Sequence, residues 1–390
     1  MRVAVVAGPD PGHAFPALAL CLKFLAAGDT PTLLTGVEWL DTARAAGIDA
    51  IELVGLDPTE ADDDADAGSK IHQRAGRMAL LNVPGLGELS PDLVVSDVIT
   101  ACGGLAAELL GLPWVELSPH PLYLPSKGLP PIGSGFAPGV GIRGHLRDSV
   151  MRALTARSWR AGLAQRAAVR AEIGLAALDS GPLRRLIATL PALEVPRPDW
   201  PAEAVVVGPL HFEPTNAVLT VPPGAGPVVV VAPSTATTGA QGMAELALES
   251  LRPGETLPDG ARLVVSRLGG ADVEVPPWAV VGLGRQDELL AHADLVICGG
   301  GHGMVSKTLL AGVPMVVVPG GGDQWEIANR VVRQGSAQLV RPLSGEALTA
   351  AVGTVLGSPS YRAAARRAGA SLAEVSDPVR VCHDALDGTG

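Results

Sequence analysis

The residues best suited to chemistry gather in two places. The first apolar run, Val3–Ala7, ends in Gly-Pro-Asp-Pro-Gly-His-Ala-Phe-Pro, which puts His13 at the C-terminal end of a strand just before a helix. Imidazole titrates near neutrality and suits a general base that takes a proton from a sugar or phenol hydroxyl. A lone histidine at such a place is more often a helix-start residue, so its standing depends on a group that orients it. Asp97, which closes the run Leu93–Ser96 at the same sheet edge, is the candidate. An aspartate accepting the second imidazole N–H fixes the tautomer and stabilises the imidazolium. Asp97 reads equally well as the N-cap of a helix beginning near Thr100.

The second place follows the run Leu295–Cys298, where Gly299, Gly300, Gly301, His302, Gly303 and Met304 lead into a helical pattern and then the run Met315–Val318. Glycines so dense let the backbone approach a ligand closely, and the helix after them offers free N–H groups and partial positive charge to a phosphate. A turn that needs glycine only for conformation rarely needs so many. After the next strand, Pro319-Gly-Gly-Gly is followed by Asp323 and Gln324. A carboxylate beside an amide supplies the mix of acceptors and donors that sugar hydroxyls require. The competing reading makes Asp323 the N-cap of a helix starting near Trp325.

The elements that position these residues are short β-branched runs separated by helix-length Ala/Leu-rich segments. The first half offers Val3–Ala7, Thr32–Thr35, Leu93–Ser96, Trp114–Leu117 and Val205–Val207. The second offers Val228–Ala232, Leu263–Ser266, Val280–Gly282, Leu295–Cys298, Met315–Val318 and Ala337–Val340. Runs that are continuously apolar rather than alternating belong to strands buried on both faces of a parallel sheet, and their alternation with helices predicts a doubly wound α/β fold. The chain has 390 residues, which favours two domains. The Pro- and Gly-rich stretch 211–226 reads as the linker between a first domain, 1–210, and a second, 227–390. Ligands of such sheets bind outside the carboxyl ends of the strands, so the site is expected in the cleft between two facing sheets.

Two further segments stand out. Glu60, Asp62, Asp63, Asp64 and Asp66 read as a solvated, mobile acidic loop. Residues 143–175 form a long helical pattern carrying Arg143, Arg147, Arg152, Arg157, Arg160, Arg166 and Arg170. Base rates favour a solvated face over a core stripe of Leu146, Val150, Ala153 and Leu154. The alternative is peripheral contact of segment 143–170 with an anionic membrane surface. Pro119 to Gly141 reads as an irregular loop, either lining a pocket or merely connecting.

Composition narrows the classes. The net charge of −11 argues against a nucleic-acid partner, which wants a basic face. The 4 cysteines lie far apart without a CxxC pair, which argues against a zinc site or disulfide framework and for buried free thiols. The first apolar run is too short for a signal peptide, and no stretch is apolar for long enough to span a bilayer, so a soluble cytoplasmic protein is expected.

These residues together resemble the family 1 glycosyltransferases, of the UDP-glycosyltransferase-like kind found in bacterial natural-product and macrolide glycosylation. The resemblance covers most of the chain and is weak between about 55 and 90 and between about 120 and 200. Gly12-His-Ala-Phe-Pro-Ala-Leu-Ala-Leu is similar to the family's G-H-x-x-P-x-L-x-L stretch, whose histidine is the catalytic base, and Asp97 falls where the family keeps its activating aspartate. Gly299 to Pro319, with Asp323, Gln324 and Asn329, resembles the donor-binding signature. Gln286 matches the glutamine of the W-x-P-Q element, and Ser234 and Thr235 lie where the family has a Ser/Thr near the diphosphate.

The resemblance implies a GT-B fold of two facing Rossmann-like domains, with the last helix packing back on the first. It implies an inverting, metal-independent transfer from a nucleotide diphosphate sugar, a co-substrate rather than a cofactor, to a small and lipophilic acceptor. Four positions depart from the family pattern: the usual histidine is Gly299, the Ser/Thr is Met304, the ribose-binding Glu is Lys307, and the base-stacking Trp is Leu283. Lys307 then offers positive charge to the diphosphate, and His302 a donor from a new place. The departures favour, as rival readings, a non-catalytic ligand-binding protein that keeps the fold. A sugar-nucleotide epimerase would need no acceptor pocket. A nicotinamide or flavin oxidoreductase would want a glycine where Met304 stands.

Overall fold

The computed structural model describes residues 1–57, 67–179, 181–235, 239–267 and 275–388, so the acidic run from Glu60 to Asp66 lies outside the described residues. In the first half the order is β1 (Arg2–Val6), α1 (Pro11–Ala26), β2 (Thr30–Thr35), α2 (Val37–Ala45), β3 (Asp49–Glu52), α3 (Ala67–Leu89), β4 (Leu93–Asp97), α4 (Cys102–Leu110), β5 (Trp114–Ser118), α5 (Gly141–Glu172), β6 (Arg185–Ile187) and β7 (Ala204–Val206). The second half runs β8 (Val228–Ala232), α6 (Met243–Ser250), β9 (Arg262–Ser266), β10 (Ala279–Gly282), α7 (Gln286–His292), β11 (Leu295–Cys298), α8 (His302–Leu310), β12 (Met315–Val317), α9 (Gln324–Gln334) and β13 (Ala337–Leu339). It closes with α10 (Gly345–Leu356), α11 (Pro359–Ala370) and α12 (Pro378–Asp387).

Among the described residues the strands form two parallel sheets, one of seven strands ordered β3-β2-β1-β4-β5-β6-β7 and one of six ordered β10-β9-β8-β11-β12-β13. Alternate residues of each strand feed cores on opposite faces. Val3 and Val5 of β1 meet α1 and α12, while Ala4 and Val6 meet α3 and α4. Val228 and Val230 of β8 pack with α7, α8, α9 and α11, and Val229 and Val231 with α6 and α10. Both sheets are therefore doubly wound, as the continuous apolar runs require. In each the order reverses beside the first strand, between β1 and β4 and between β8 and β11, which creates the crevice where ligands bind in such sheets.

The chain crosses back after α11. The Ser376 amide donates to the Val206 carbonyl, Asp377 caps α12 through the Arg380 amide, and Val379, Val381, Cys382 and Ala385 enter the core beside α1. His383 adds a 2.9 Å contact to Asp29, which also holds the N-terminal amine at 2.7 Å. All four cysteines are buried free thiols, and no described helix is long and apolar enough to cross a membrane.

The long arginine-rich helix departs from expectation. Leu146 and Leu154, assigned to a core stripe, are 63% and 76% exposed, and Val150 and Ala153 are exposed with them. Arginines take the inner face instead: Arg152 donates to the Leu129 carbonyl at 2.8 Å, Arg166 pairs with Asp179, and Arg170 grips Glu108 with two bonds of 3.0 and 2.7 Å. Apolar periodicity ordinarily marks the buried face of a helix. Here carbonyls and carboxylates of neighbouring segments anchor the helix and turn its apolar stripe outward.

Candidate functional site

The residues singled out in the sequence stand at both reversals of strand order. The loop leaving β1 enters α1 with Pro11 at its start, suited by its fixed φ and missing donor, and sets His13 in the first helical turn. Asp97 ends β4, the strand next to β1. His13 Nδ1 lies 2.8 Å from Asp97 Oδ2, and the carboxylate is 1% exposed. Asp97 also fulfils the second sequence reading. Its Oδ1 accepts from the backbone amides of Ile99 at 3.0 Å and Thr100 at 3.3 Å, and α4 itself begins at Cys102. One oxygen holds the turn and the other holds the imidazole.

With Nδ1–H donating to Asp97, the lone pair sits on Nε2. Burial lowers the affinity of the His13 ring for a proton, but the hydrogen bond and charge of Asp97, helped by Asp10 and Asp323, outweigh it. The pKa stands above its ordinary value of 6.5. That combination is what a base needs: oriented, and strengthened by a buried anion.

Across the cleft, Ser234 follows β8, and Gly299 to Gly301 join β11 to α8, whose second residue is Gly303. Gly300 has φ +80, a left-handed conformation that favours glycine. The first turn of α8, with N-cap Gly301, has backbone N–H groups that find no acceptor within the helix and point toward the space before it. A Cβ on Gly299 would lie 2.9 Å from Ser234 Cβ. Space that a side chain would need is already used, because Gln324 donates from Nε2 to Ser234 Oγ at 2.9 Å and accepts from the Gly320 amide at 3.0 Å. Asp323 occupies the N-cap position of α9, yet its side chain makes no capping bond.

A cavity of about 410 Å³ joins these groups. His13, Ser234, Thr235, Gln286, Gly299, Gly301, His302, Gly303, Met304, Lys307, Asp323 and Gln324 all line it. Gly300 is set back behind its neighbours, where a Cβ would meet the Gln324 carbonyl at 3.1 Å, and Asp97 is covered by His13.

Two roles written from sequence change. Lys307 Nζ is 2.6 Å from Glu213 Oε1 and 3.0 Å from Gln286 Oε1, so its charge is matched by a carboxylate rather than offered alone to a diphosphate. His302 is buried, and its Nε2 meets Thr189 Oγ1 at 2.8 Å while the ring also bonds the Pro119 backbone. Burial pushes its pKa well below 6.5. The His302 side chain ties the two domains together instead of donating into the cleft.

Sequence reading missed three residues of the cavity wall. His120 follows β5, as Asp97 ends β4, and the same end-of-strand logic would have found it. Its Nδ1 donates to the Pro121 carbonyl at 2.8 Å, and its ring stacks on Tyr123 and stands 6.4 Å from His13. Burial lowers its pKa. Glu213 and His211 come from the stretch read as linker. His211 Nε2 is 2.9 Å from Ser306 Oγ on α8, and burial, with Lys307 nearby, pushes its pKa down to about 3.

The loop between β5 and α5 is more than a connection. Glu326 of α9 accepts from the Gly133 and Gly135 amides at 3.2 and 3.1 Å, and Arg333 donates to the Gly135 carbonyl at 2.6 Å. The helix that begins at Asp323 and Gln324 is thereby clasped by the first domain.

Two facing, doubly wound parallel sheets with an oriented histidine on one side and a glycine-led helix N-terminus on the other define the GT-B class of glycosyltransferase. Residues 278–372 match the family of UDP-glucoronosyl and UDP-glucosyl transferases. The 4'-demethylrebeccamycin synthase of Lentzea aerocolonigenes is 27% identical, with 94% of each chain covered. Among solved structures, the glycotransferase of kitacinnamycin superposes with a TM-score of 0.74 at 21% identity, covering 96% of this chain and 95% of that one. The Streptomyces sp. SF2575 glycosyltransferase SsfS6, solved in complex with thymidine diphosphate, gives 0.67 at 21% identity, covering 98% and 99%. The chain is a glycosyltransferase of GT-B architecture, similar over residues 278–372 to the UDP-glycosyltransferase family and over its length to the rebeccamycin enzyme.

Proposed function

We propose that the protein is an inverting glycosyltransferase that moves a sugar from a nucleoside diphosphate sugar to a hydroxyl of a small, lipophilic acceptor. Residues 1–210 hold the acceptor and 227–390 the donor. The observation that carries this reading is the 2.8 Å His13–Asp97 pair facing the α8 N-terminus across one cavity. His13 Nε2 takes the hydroxyl proton as the acceptor oxygen attacks the anomeric carbon, and the bond from that carbon to the diphosphate oxygen breaks. Asp97 stabilises the imidazolium, and the α8 N–H groups receive the charge of the leaving diphosphate. Asp323 and Gln324 hold the sugar hydroxyls. No metal ion or cofactor takes part in this transfer, so a chelator should leave the rate unchanged.

The test begins with thermal shift against uridine, thymidine, guanosine and adenosine diphosphates. Thymidine diphosphate has support from the complex of the similar SF2575 enzyme. A diphosphate at 100 times its Kd adds about 2.7 kcal/mol of stability, and Asp323→Ala should weaken binding of the matching sugar nucleotide while leaving the shift by the free diphosphate in place. Transfer from the matching sugar should fall by roughly two to four orders of magnitude in His13→Ala. Full transfer in that variant would remove His13 from the chemistry, and no shift with any diphosphate would overturn the donor assignment.

A further inference from the structure

A second cavity, of about 550 Å³, lies in the first domain between α3, α4 and α5. Its walls are largely apolar, with Leu56, Ile71, Met78, Trp114 and Val169 among them. Asp10 and Ile99 belong to the walls of both cavities, so the two meet beside His13. Ile99 is 54% exposed, a large apolar side chain held open at that junction.

Most charges around this cavity are matched, the exceptions being Arg74 and the exposed Asp10 at its mouth, whose side chain makes no capping bond. Glu108 is gripped by Arg170, Asp179 by Arg166 and Glu116 by Arg185, while Asp97 is held by His13 and the turn amides. Burial and the nearby Arg166 push the His72 pKa down, which keeps that ring neutral. Arg74 of α3 is different. It is half-buried on the cavity wall, and among the described residues it has no hydrogen-bonded or ion-paired partner. A guanidinium partly withdrawn from water without an acceptor loses hydration for nothing in return, and its planar fork matches a carboxylate.

Building on the transfer reading above, we propose that this cavity receives the acceptor and that the acceptor is an apolar, drug-sized molecule carrying a carboxylate that pairs with Arg74. Its hydroxyl reaches past Ile99 to His13. The volume lies within the range of pockets that enclose such molecules.

The experiment compares binding of 6-hydroxy-2-naphthoate and its methyl ester by titration calorimetry, which reads the cavity independently of transfer. The acid should bind about tenfold or more tightly than the ester. Arg74→Met should bring the acid down to the ester's affinity while leaving the ester's own affinity in place, and Arg74→Lys should retain part of the preference. Melting temperatures close to the parent's establish that both variants are folded. Equal affinities for acid and ester, an acid preference that survives Arg74→Met, or no binding of either probe would each overturn the proposal. Nucleoside diphosphate binding, measured on the same samples, separates the two readings: its loss refutes the donor site and leaves the acid preference standing.

Discussion

Replacing Asp97 by Asn is the most informative perturbation of the dyad, because it changes charge and proton placement with almost no change in shape. The amide oxygen can stay where Oδ1 now accepts from the Ile99 and Thr100 amides, so the turn before α4 is preserved. Its NH2 then faces His13 Nδ1, 2.8 Å away in the parent from Oδ2, and donates to it. The imidazole is driven to the other tautomer, with the proton on Nε2, and the lone pair that should take the acceptor proton is gone. The imidazolium also loses its anion. Two unit charges about 4 Å apart interact by about 4 kcal/mol at an effective dielectric of 20, which corresponds to roughly three orders of magnitude in rate. The assay is initial-rate transfer as a function of pH. The parent needs a neutral ring whose pKa is raised above 6.5, so its rate should climb as pH rises through that raised value. The variant should show a plateau lower by about a thousandfold and an acid limb displaced toward lower pH. Diphosphate affinity should not change, since Asp97 does not line the donor cavity. A variant within threefold of the parent rate, or one whose acid limb does not move, would refute the assignment of Asp97 as the group that orients and strengthens the base.

Two other outcomes follow from geometry. His211 is held neutral by burial, with a pKa of about 3 against 6.5 in the unfolded chain, so the unfolded state binds the extra proton and stability falls as pH drops from 6.5 toward 3. His211→Gln should remove about 1.4 kcal/mol per pH unit from that decline, read as a shallower fall of melting temperature between pH 6.5 and 4; a slope equal to the parent's would contradict it. Gly299→Ala should cost about 1–3 kcal/mol of stability by overpacking, because its Cβ would come within 2.9 Å of Ser234 Cβ. It should also weaken diphosphate binding by displacing the Ser234–Gln324 contact, whereas Gly301→Ala, with open space at its Cβ, should keep the parent's melting temperature.

Strands buried on both faces were legible because their sequences leave no other option: Val228–Ala232 is uniformly apolar, and the structure buries every residue of it. Asp49–Glu52 and Arg185–Ile187 escaped notice because they are short, and the first is mostly exposed at a sheet edge, so neither shows an apolar run. The chemistry was readable where strand ends supply it. His13, Asp97 and Asp323 all follow the rule that ligands meet the carboxyl edge of a parallel sheet. Residues brought by connecting segments were not readable, because nothing in a Pro- and Gly-rich stretch reveals which sheet edge it crosses. Glu213 and His211 belong to this kind. The inverted α5 failed for a further reason: its apolar period is real, but the acid that draws Arg170 to the inner face, Glu108, lies 62 residues away along the chain.

The departures at the donor loop acquire a physical meaning once the fold is in view. Where the resemblance expects a histidine, Gly299 leaves room that the Ser234–Gln324 pair uses, so the loop is closed by a side-chain contact between the ends of β8 and β12 instead of by a bulky residue. Where it expects a carboxylate, Lys307 recruits one: Glu213 reaches in from the chain between the sheets, its Oε1 on Lys307 and its Oε2 on the Gln286 amide. Counted position by position the acid is lost, whereas counted in space it has moved to another segment. The exchange leaves this part of the cleft with matched charges, so Lys307 adds no net attraction for a diphosphate. On the transfer reading proposed above, that task falls to the α8 N-terminus and to Arg267 just after β9, whose ion pair with Glu245 is longer, at 3.5 Å. Helix-end N–H groups act over one turn and at short range, which makes the close approach permitted by the glycines at 299 to 303 a condition for holding the donor at all.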